Sequence, residues 1–121
     1  MEKILVCDDD LLMLKAIEFK LKREMYEIVT AKDGKEAINL IETERPDIII
    51  TDLLMPFVSG LELIEYVRSN LKVTTPIVVL SKVGLEETVL KAFDLGADDY
   101  VVKPFSPNEL SIRIKKLLLR K

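Results

Sequence analysis

Ile4-Leu-Val-Cys-Asp-Asp-Asp10 and Pro46-Asp-Ile-Ile-Ile-Thr-Asp52 share one pattern, an apolar run that ends in aspartate. Both runs are short, and isoleucine and valine make up much of each. Because a strand of a parallel sheet is covered on both faces, its side chains are apolar without alternation. The two stretches therefore predict buried parallel strands whose carboxyl ends carry acidic side chains.

Three further strand-like runs lie along the chain, and a segment of helical period follows each of the five. The predicted strands are Ile4–Cys7, Ile28–Thr30, Ile48–Thr51, Ile77–Leu80 and Tyr100–Val102. Because crossovers between parallel strands are nearly always right-handed, five such units predict a doubly wound sheet. The predicted fold class is α/β, a flavodoxin-like (βα)5 five-stranded parallel sheet of order 2-1-3-4-5 with helices on both faces.

Composition limits the class of protein. The chain has 121 residues, 49% of them hydrophobic and 32% charged, which indicates one globular domain over residues 1–121. We expect no effector domain within this chain, because no linker follows the last predicted helix. A net charge of −3 argues against direct nucleic-acid binding, and no apolar run approaches the roughly 20 residues of a membrane span. The lone Cys7 cannot form an internal disulfide and fits a cytoplasmic location.

Polar side chains follow four of the predicted strands at the edge where their carboxyl ends meet. Asp8 and Asp9 follow the first strand, Asp52 the third, Ser81 the fourth and Lys103 the fifth. Ligands of open α/β sheets bind at this edge, where the strand order reverses. The pattern therefore predicts a functional site there.

The residue types at this edge predict phosphoryl transfer. Three carboxylates beside one ammonium need a cation, and oxygen ligands favour Mg²⁺, with Mn²⁺ as the other choice. Histidine is absent from the chain, which excludes histidine ligands and histidine acid–base chemistry. A carboxylate is already ionised at neutral pH, so Asp52 can attack phosphorus without a general base.

Four motifs in this order resemble the receiver domain of bacterial two-component response regulators. They are Ile4-Leu-Val-Cys-Asp-Asp-Asp10, Pro46-Asp-Ile-Ile-Ile-Thr-Asp52 with Met55-Pro56 and Gly60, Leu80-Ser81, and Gly96-Ala-Asp-Asp-Tyr-Val-Val-Lys-Pro-Phe105. The resemblance implies a signalling module rather than an enzyme acting on other substrates. It implies that Asp52 accepts a phosphoryl group from a sensor histidine kinase or a phosphotransfer protein.

The resemblance also implies roles for the other pocket residues. Asp8, Asp9 and Asp52 would hold Mg²⁺ together with the backbone carbonyl of Leu54. Lys103 matches the invariant lysine of the family, which is commonly followed by a cis peptide bond to proline. These roles follow from the resemblance and not from the spacing of the residues.

Ser81 and Tyr100 match the switch pair of the family, in which the hydroxyl moves towards the phosphoryl group and the aromatic ring turns inward. The resemblance implies that this switch changes the face formed by the fourth helix, fifth strand and fifth helix. That face would control an output partner or a C-terminal effector domain. Lys82 stands where the family has a small residue, and we interpret it as a modulator of access to the pocket or of its charge.

A dimer through the same face is the last property implied by the resemblance. Asp98, Asp99, Glu109 and Arg113 match salt-bridge positions in receivers that carry a winged-helix DNA-binding domain. Val89 occupies the place of the basic residue that often pairs with Glu109. We therefore expect a monomer or a weak homodimer.

Two alternatives to a phosphorylated receiver remain open on the sequence. Asp8-x-Asp10 after an apolar strand is also typical of Mg²⁺-dependent phosphohydrolases of the haloacid dehalogenase type. A receiver-like scaffold that binds a partner without phosphorylation is the other alternative.

Two residues are predicted to cap helices. Asp10 can cap the first helix rather than act as a ligand, and Ser106 with Glu109 predicts a capping box at the start of the last helix.

Overall fold

Five strands and five helices alternate along the chain. The structure is a computed structural model and describes residues 1–120. The strands are β1 (Lys3–Cys7), β2 (Glu27–Ala31), β3 (Ile48–Asp52), β4 (Ile77–Lys82) and β5 (Asp99–Lys103). The helices are α1 (Leu11–Arg23), α2 (Gly34–Glu44), α3 (Gly60–Glu65), α4 (Glu86–Leu95) and α5 (Pro107–Leu119). A π-helical turn, Tyr66–Asn70, extends α3.

The five strands form one parallel sheet of order β2-β1-β3-β4-β5. This order and the helices on both faces confirm the predicted fold class. The order reverses between β1 and β3, where Cys7 is paired with Thr51. Asp8 and Asp52 are the next residues along these two strands, so the register brings their carboxylates to the same end of the sheet.

Two apolar cores lie on opposite faces of the sheet because successive strand residues point to opposite sides. One core contains Leu5 and Ile49 and packs against α2, α3 and α4. The other contains Ile4 and Ile50 and packs against α1 and α5. Cys7 is fully buried in the first core, and burial raises the pKa of its thiol, so it packs as a small apolar side chain.

Side-chain caps fix the starts of the helices beside the functional end of the sheet. The Asp10 carboxylate accepts hydrogen bonds from the amides of Leu12 and Met13, at 3.0 and 3.2 Å. Asp10 is therefore the cap of α1, as one of the two interpretations of the sequence predicted. Half of the predicted capping box of α5 is present: the Ser106 hydroxyl accepts from the amide of Glu109 at 3.2 Å, but within residues 1–120 the Glu109 carboxylate does not accept from the Ser106 amide.

No helix within residues 1–120 is long and apolar enough to cross a membrane.

Candidate functional site

The carboxyl ends of β1 and β3 bring three aspartates together. Carboxylate oxygens of Asp8, Asp9 and Asp52 lie within 4.8 Å of one another. Asp8 and Asp52 are buried, whereas Asp9 is exposed at the mouth of the site. The three carboxylates that the sequence predicted to lie together therefore form one cluster, which is open to solvent on the side of Asp9.

Lys103, at the end of β5, is the cation of this cluster. Its ammonium nitrogen lies 2.6 Å from Asp8 Oδ2 and 3.4 Å from Asp52 Oδ2. The peptide bond to Pro104 is cis, as the resemblance implied. Three carboxylates and one ammonium give the cluster a formal charge of −2 when all four groups are ionised. A second positive charge close to Asp9 would relieve the repulsion between the carboxylates.

The environment shifts two ionisable groups of the cluster. Burial, followed by repulsion from Asp8, raises the pKa of the Asp52 carboxyl, while Lys103 and the backbone amide of Leu54 act in the opposite direction. Burial alone would lower the pKa of Lys103. Hydrogen bonds and attraction from Asp8 and Asp52 outweigh it and raise that pKa, so Lys103 stays protonated. Burial, more than the neighbouring negative charge, therefore disfavours the ionised form of Asp52.

The chemistry of the donor set fits a hard divalent cation. The three side chains offer only carboxylate oxygens, and the exposed Asp9 leaves one side of the cluster accessible to water. Magnesium binds through one or two carboxylates and keeps several waters, whereas zinc sites usually contain histidine or cysteine. These three side chains could therefore hold Mg²⁺ or Mn²⁺.

Ser81 and Tyr100 lie on the neighbouring strands β4 and β5. Ser81 is buried, and its hydroxyl donates a hydrogen bond to the backbone carbonyl of Lys82 at 3.1 Å. The Tyr100 ring is 39% exposed and meets Phe93 of α4 edge-on, with ring centroids 5.9 Å apart. Together with Val89, these residues line a groove of about 380 Å³ between α4 and β5. The two predicted switch residues thus open onto one cavity, with the ring directed outward.

The geometry agrees with the known relatives of the sequence. Residues 4–115 match the family described as the response regulator receiver domain. The chain belongs to this family. It is also 40% identical over 119 residues to the alkaline phosphatase synthesis transcriptional regulatory protein PhoP of Bacillus subtilis. The matched region is 98% of this chain and 49% of PhoP, so the receiver domain spans about half the length of the curated relatives that it matches.

Solved receiver structures have the same fold. The receiver domain of the Francisella response regulator 1452 is 36% identical, with a TM-score of 0.91 over 99% of this chain and 98% of that one. A two-component response regulator from Clostridium difficile is 28% identical, with a TM-score of 0.93 over 99% and 98% of the two chains. The chain is therefore a signalling module, the receiver domain of a two-component response regulator.

The phosphohydrolase alternative finds no support in the geometry. A carboxylate that acts as a nucleophile or as an acid–base catalyst must be free to reach the substrate. Here the Asp10 carboxylate accepts from two amides of α1, and the Asp8 carboxylate is hydrogen-bonded to Lys103 and to the amide of Asp10. The family match assigns the same motif to the receiver domain instead.

The residues predicted for a dimer are paired within the chain. Arg113 lies 2.8 Å from Asp99 and 3.8 Å from Glu109. Asp98 pairs with Arg68 at 3.0 Å and with Arg120 at 3.2 Å. A symmetric dimer that used these charges would have to exchange intramolecular ion pairs for intermolecular ones.

The sequence gives no indication of the role of Arg68 in the frame around the site. Arg68 donates to the carbonyls of Gly96, Val73 and Thr75 as well as to Asp98. Its sequence signal is only a lone arginine near the end of an apolar stripe. Gly60, which belongs to the second motif of the resemblance, packs directly on the Asp52 backbone.

Proposed function

We propose that residues 1–121 act as one receiver unit that accepts a phosphoryl group on Asp52 in a Mg²⁺-dependent reaction, with Mn²⁺ as a substitute. The observation that carries this proposal is the cluster of Asp8, Asp9 and Asp52 around the Lys103 ammonium. The phosphoryl donor is a phosphohistidine of a sensor kinase or a phosphotransfer protein. Asp8, Asp9 and Asp52 hold the metal together with the carbonyl of Leu54.

The transfer requires little covalent chemistry from the protein. An Asp52 carboxylate oxygen attacks phosphorus, the new P–O bond forms, and the bond from phosphorus to the histidine nitrogen breaks with its electron pair going to nitrogen. Bound metal would neutralise charge on the phosphoryl oxygens. The Lys103 ammonium, 3.4 Å from Asp52 Oδ2, supplies further positive charge, and positioning with charge neutralisation accounts for most catalysis of this type.

The signal leaves the pocket through Ser81. Its hydroxyl now donates to the Lys82 carbonyl, so it would exchange this hydrogen bond for one to a phosphoryl oxygen on Asp52. Movement of Ser81 frees space in the groove that it shares with Tyr100. The ring then turns inward and changes the α4–β5–α5 face, which is a population shift biased by a covalent modification.

The partners follow from this role. The α4–β5–α5 face acts on an output partner or on a C-terminal effector domain, and the name of the relative PhoP, a transcriptional regulatory protein, is in keeping with either. The module is a monomer or a weak homodimer through that face. It works in the cytoplasm without membrane or direct nucleic-acid contacts, and it turns over only its own phosphoryl group.

Acetyl phosphate with Mg²⁺ tests the proposal by intact mass. The wild-type domain should gain one phosphoryl group, and acetate leaves as the P–O bond to it breaks. Asp52→Asn should gain none, because the amide lacks the ionised oxygen that attacks phosphorus. Absence of the added mass on the wild type, or equal addition to Asp52→Asn, contradicts the assignment. Binding of Mg²⁺ without phosphorylation would leave a role for the domain as an unphosphorylated scaffold.

A further inference from the structure

Lys82 is a charged residue at the edge of the pocket for which the proposed mechanism has no role. It is the last residue of β4, next to the buried Ser81, and its side chain is exposed. Among residues 1–120, its ammonium group makes no hydrogen bond or ion pair. Most charged side chains of the pocket are already engaged, whereas this cation is available for a ligand.

The strand register places Lys82 on the face of the sheet that carries the phosphorylation site. Lys82 is paired with Lys103 on β5, and Leu80 is paired with Asp52 on β3. Register partners in parallel strands point to the same side, and so do residues two apart. Lys82 therefore shares its face with Asp52 and Lys103, and strand spacings put its Cα about 8 Å from that of Asp52.

The charge of the pocket gives this position a chemical consequence. The cluster of Asp8, Asp9, Asp52 and Lys103 has a formal charge of −2, and a phosphoryl donor is itself an anion. An unpaired ammonium on a flexible four-carbon chain is well suited to bind phosphate oxygens as a point charge. Cations beside a charged cleft also raise the encounter rate of anionic ligands.

We propose that Lys82 is a second phosphate-binding cation of this pocket, which recruits dianionic phosphoryl donors and holds the phosphoryl group once it is on Asp52. This inference rests on the proposed function, because it needs a phosphoryl group at Asp52. Lys82 forms and breaks no covalent bond and exchanges no proton in the transfer. It acts by attraction alone, so arginine can replace it and glutamine cannot.

Phosphorylation rates with acetyl phosphate at saturating Mg²⁺ test the proposal. Lys82→Gln should lower the second-order rate constant about fivefold at low ionic strength, and high salt should reduce this difference. Lys82→Arg should stay within about twofold of the wild type. Lys116→Gln is the matched control, because this exposed lysine lies in the last turn of α5, at the opposite end of the sheet, and should leave the rate unchanged.

The affinity for Mg²⁺ provides a second measurement, which should change in the direction opposite to the phosphorylation rate. Removal of a cation beside the acidic cluster should tighten Mg²⁺ binding by Lys82→Gln about twofold, while the phosphorylation rate falls. If Lys82 only obstructed the mouth of the pocket, Lys82→Gln would be phosphorylated faster than the wild type, and its rate would depend on salt as the wild-type rate does. That result, or equal rates for the wild type and Lys82→Gln, overturns the inference and leaves the proposed function intact. A wild type that is never modified on Asp52 overturns both.

Discussion

Lys103→Met is expected to destabilise the metal-free receiver domain by about 3 kcal/mol, because it leaves buried carboxylates without their cation. The Asp8 side chain has no exposed surface, and Lys103 is its only ion-pair partner among residues 1–120, at 2.6 Å. The same ammonium offsets the charge of Asp52. Methionine preserves the length and packing of the side chain, so the decrease in the free energy of unfolding reports the loss of the charge.

Urea unfolding at neutral pH in the presence of a chelator measures this loss. Lys22→Met is the control, since Lys22 is exposed and its pair with the partly exposed Glu18 should contribute less than about 0.5 kcal/mol. Saturating Mg²⁺ should reduce the difference between Lys103→Met and the wild type, because a bound cation replaces part of the missing positive charge. A loss similar to that of Lys22→Met, or a difference that Mg²⁺ leaves unchanged, would show that Lys103 does not balance this cluster.

Gly60→Ala is expected to cost about 2–3 kcal/mol and to slow phosphorylation, because a methyl group at this position collides with the backbone of the phosphorylation site. A Cβ atom on Gly60 would lie 2.3 Å from the Asp52 carbonyl oxygen and 2.8 Å from Leu53 Cα. The Gly60 amide also donates to the Leu53 carbonyl at 2.9 Å. Neither side of this contact is a flexible side chain, so the end of β3 or the start of α3 must move.

Gly84→Ala separates this steric effect from the general cost of replacing glycine. A Cβ on Gly84 meets no atom within 4 Å, but the residue has φ +96°, so alanine is strained there by about 1 kcal/mol. Chemical denaturation of both variants and their rates with acetyl phosphate give the comparison. If Gly60→Ala were no less stable than Gly84→Ala and were phosphorylated at the wild-type rate, the close approach to Asp52 would have no functional consequence.

The sequence predicts the fold and the site as far as they depend on local pattern and strand order. Apolar runs that end in Asp8 and Asp52 identify two buried strands, and the rule for parallel sheets then places both carboxylates at one edge. The Asp10 and Ser106 caps are equally local, since their partners lie two or three residues away. Such features need no knowledge of long-range packing.

Features that depend on distant contacts were not predictable in the same way. Arg68, in the π-helical turn after α3, reaches Asp98 just before β5 across 30 residues, and its sequence neighbours do not indicate this partner. The loop after β3 leaves the apolar side chain of Phe57 80% exposed with φ +70°, which its residue type does not indicate. Pairing of Asp98 and Asp99 inside the chain is likewise visible only in three dimensions.

Paramagnetic broadening of backbone amide signals by Mn²⁺ tests most directly the claim that the tips of β1 and β3 share one hard cation. Substoichiometric Mn²⁺ should broaden residues 8–10 and 52–54 with a single affinity, and excess Mg²⁺ should restore them. The amide signals of the last turn of α5 should stay sharp. Asp52→Asn should weaken the broadening of residues 8–10 and of residues 52–54 to the same extent. Broadening centred elsewhere, or two tips that respond with separate affinities, would contradict a shared metal site.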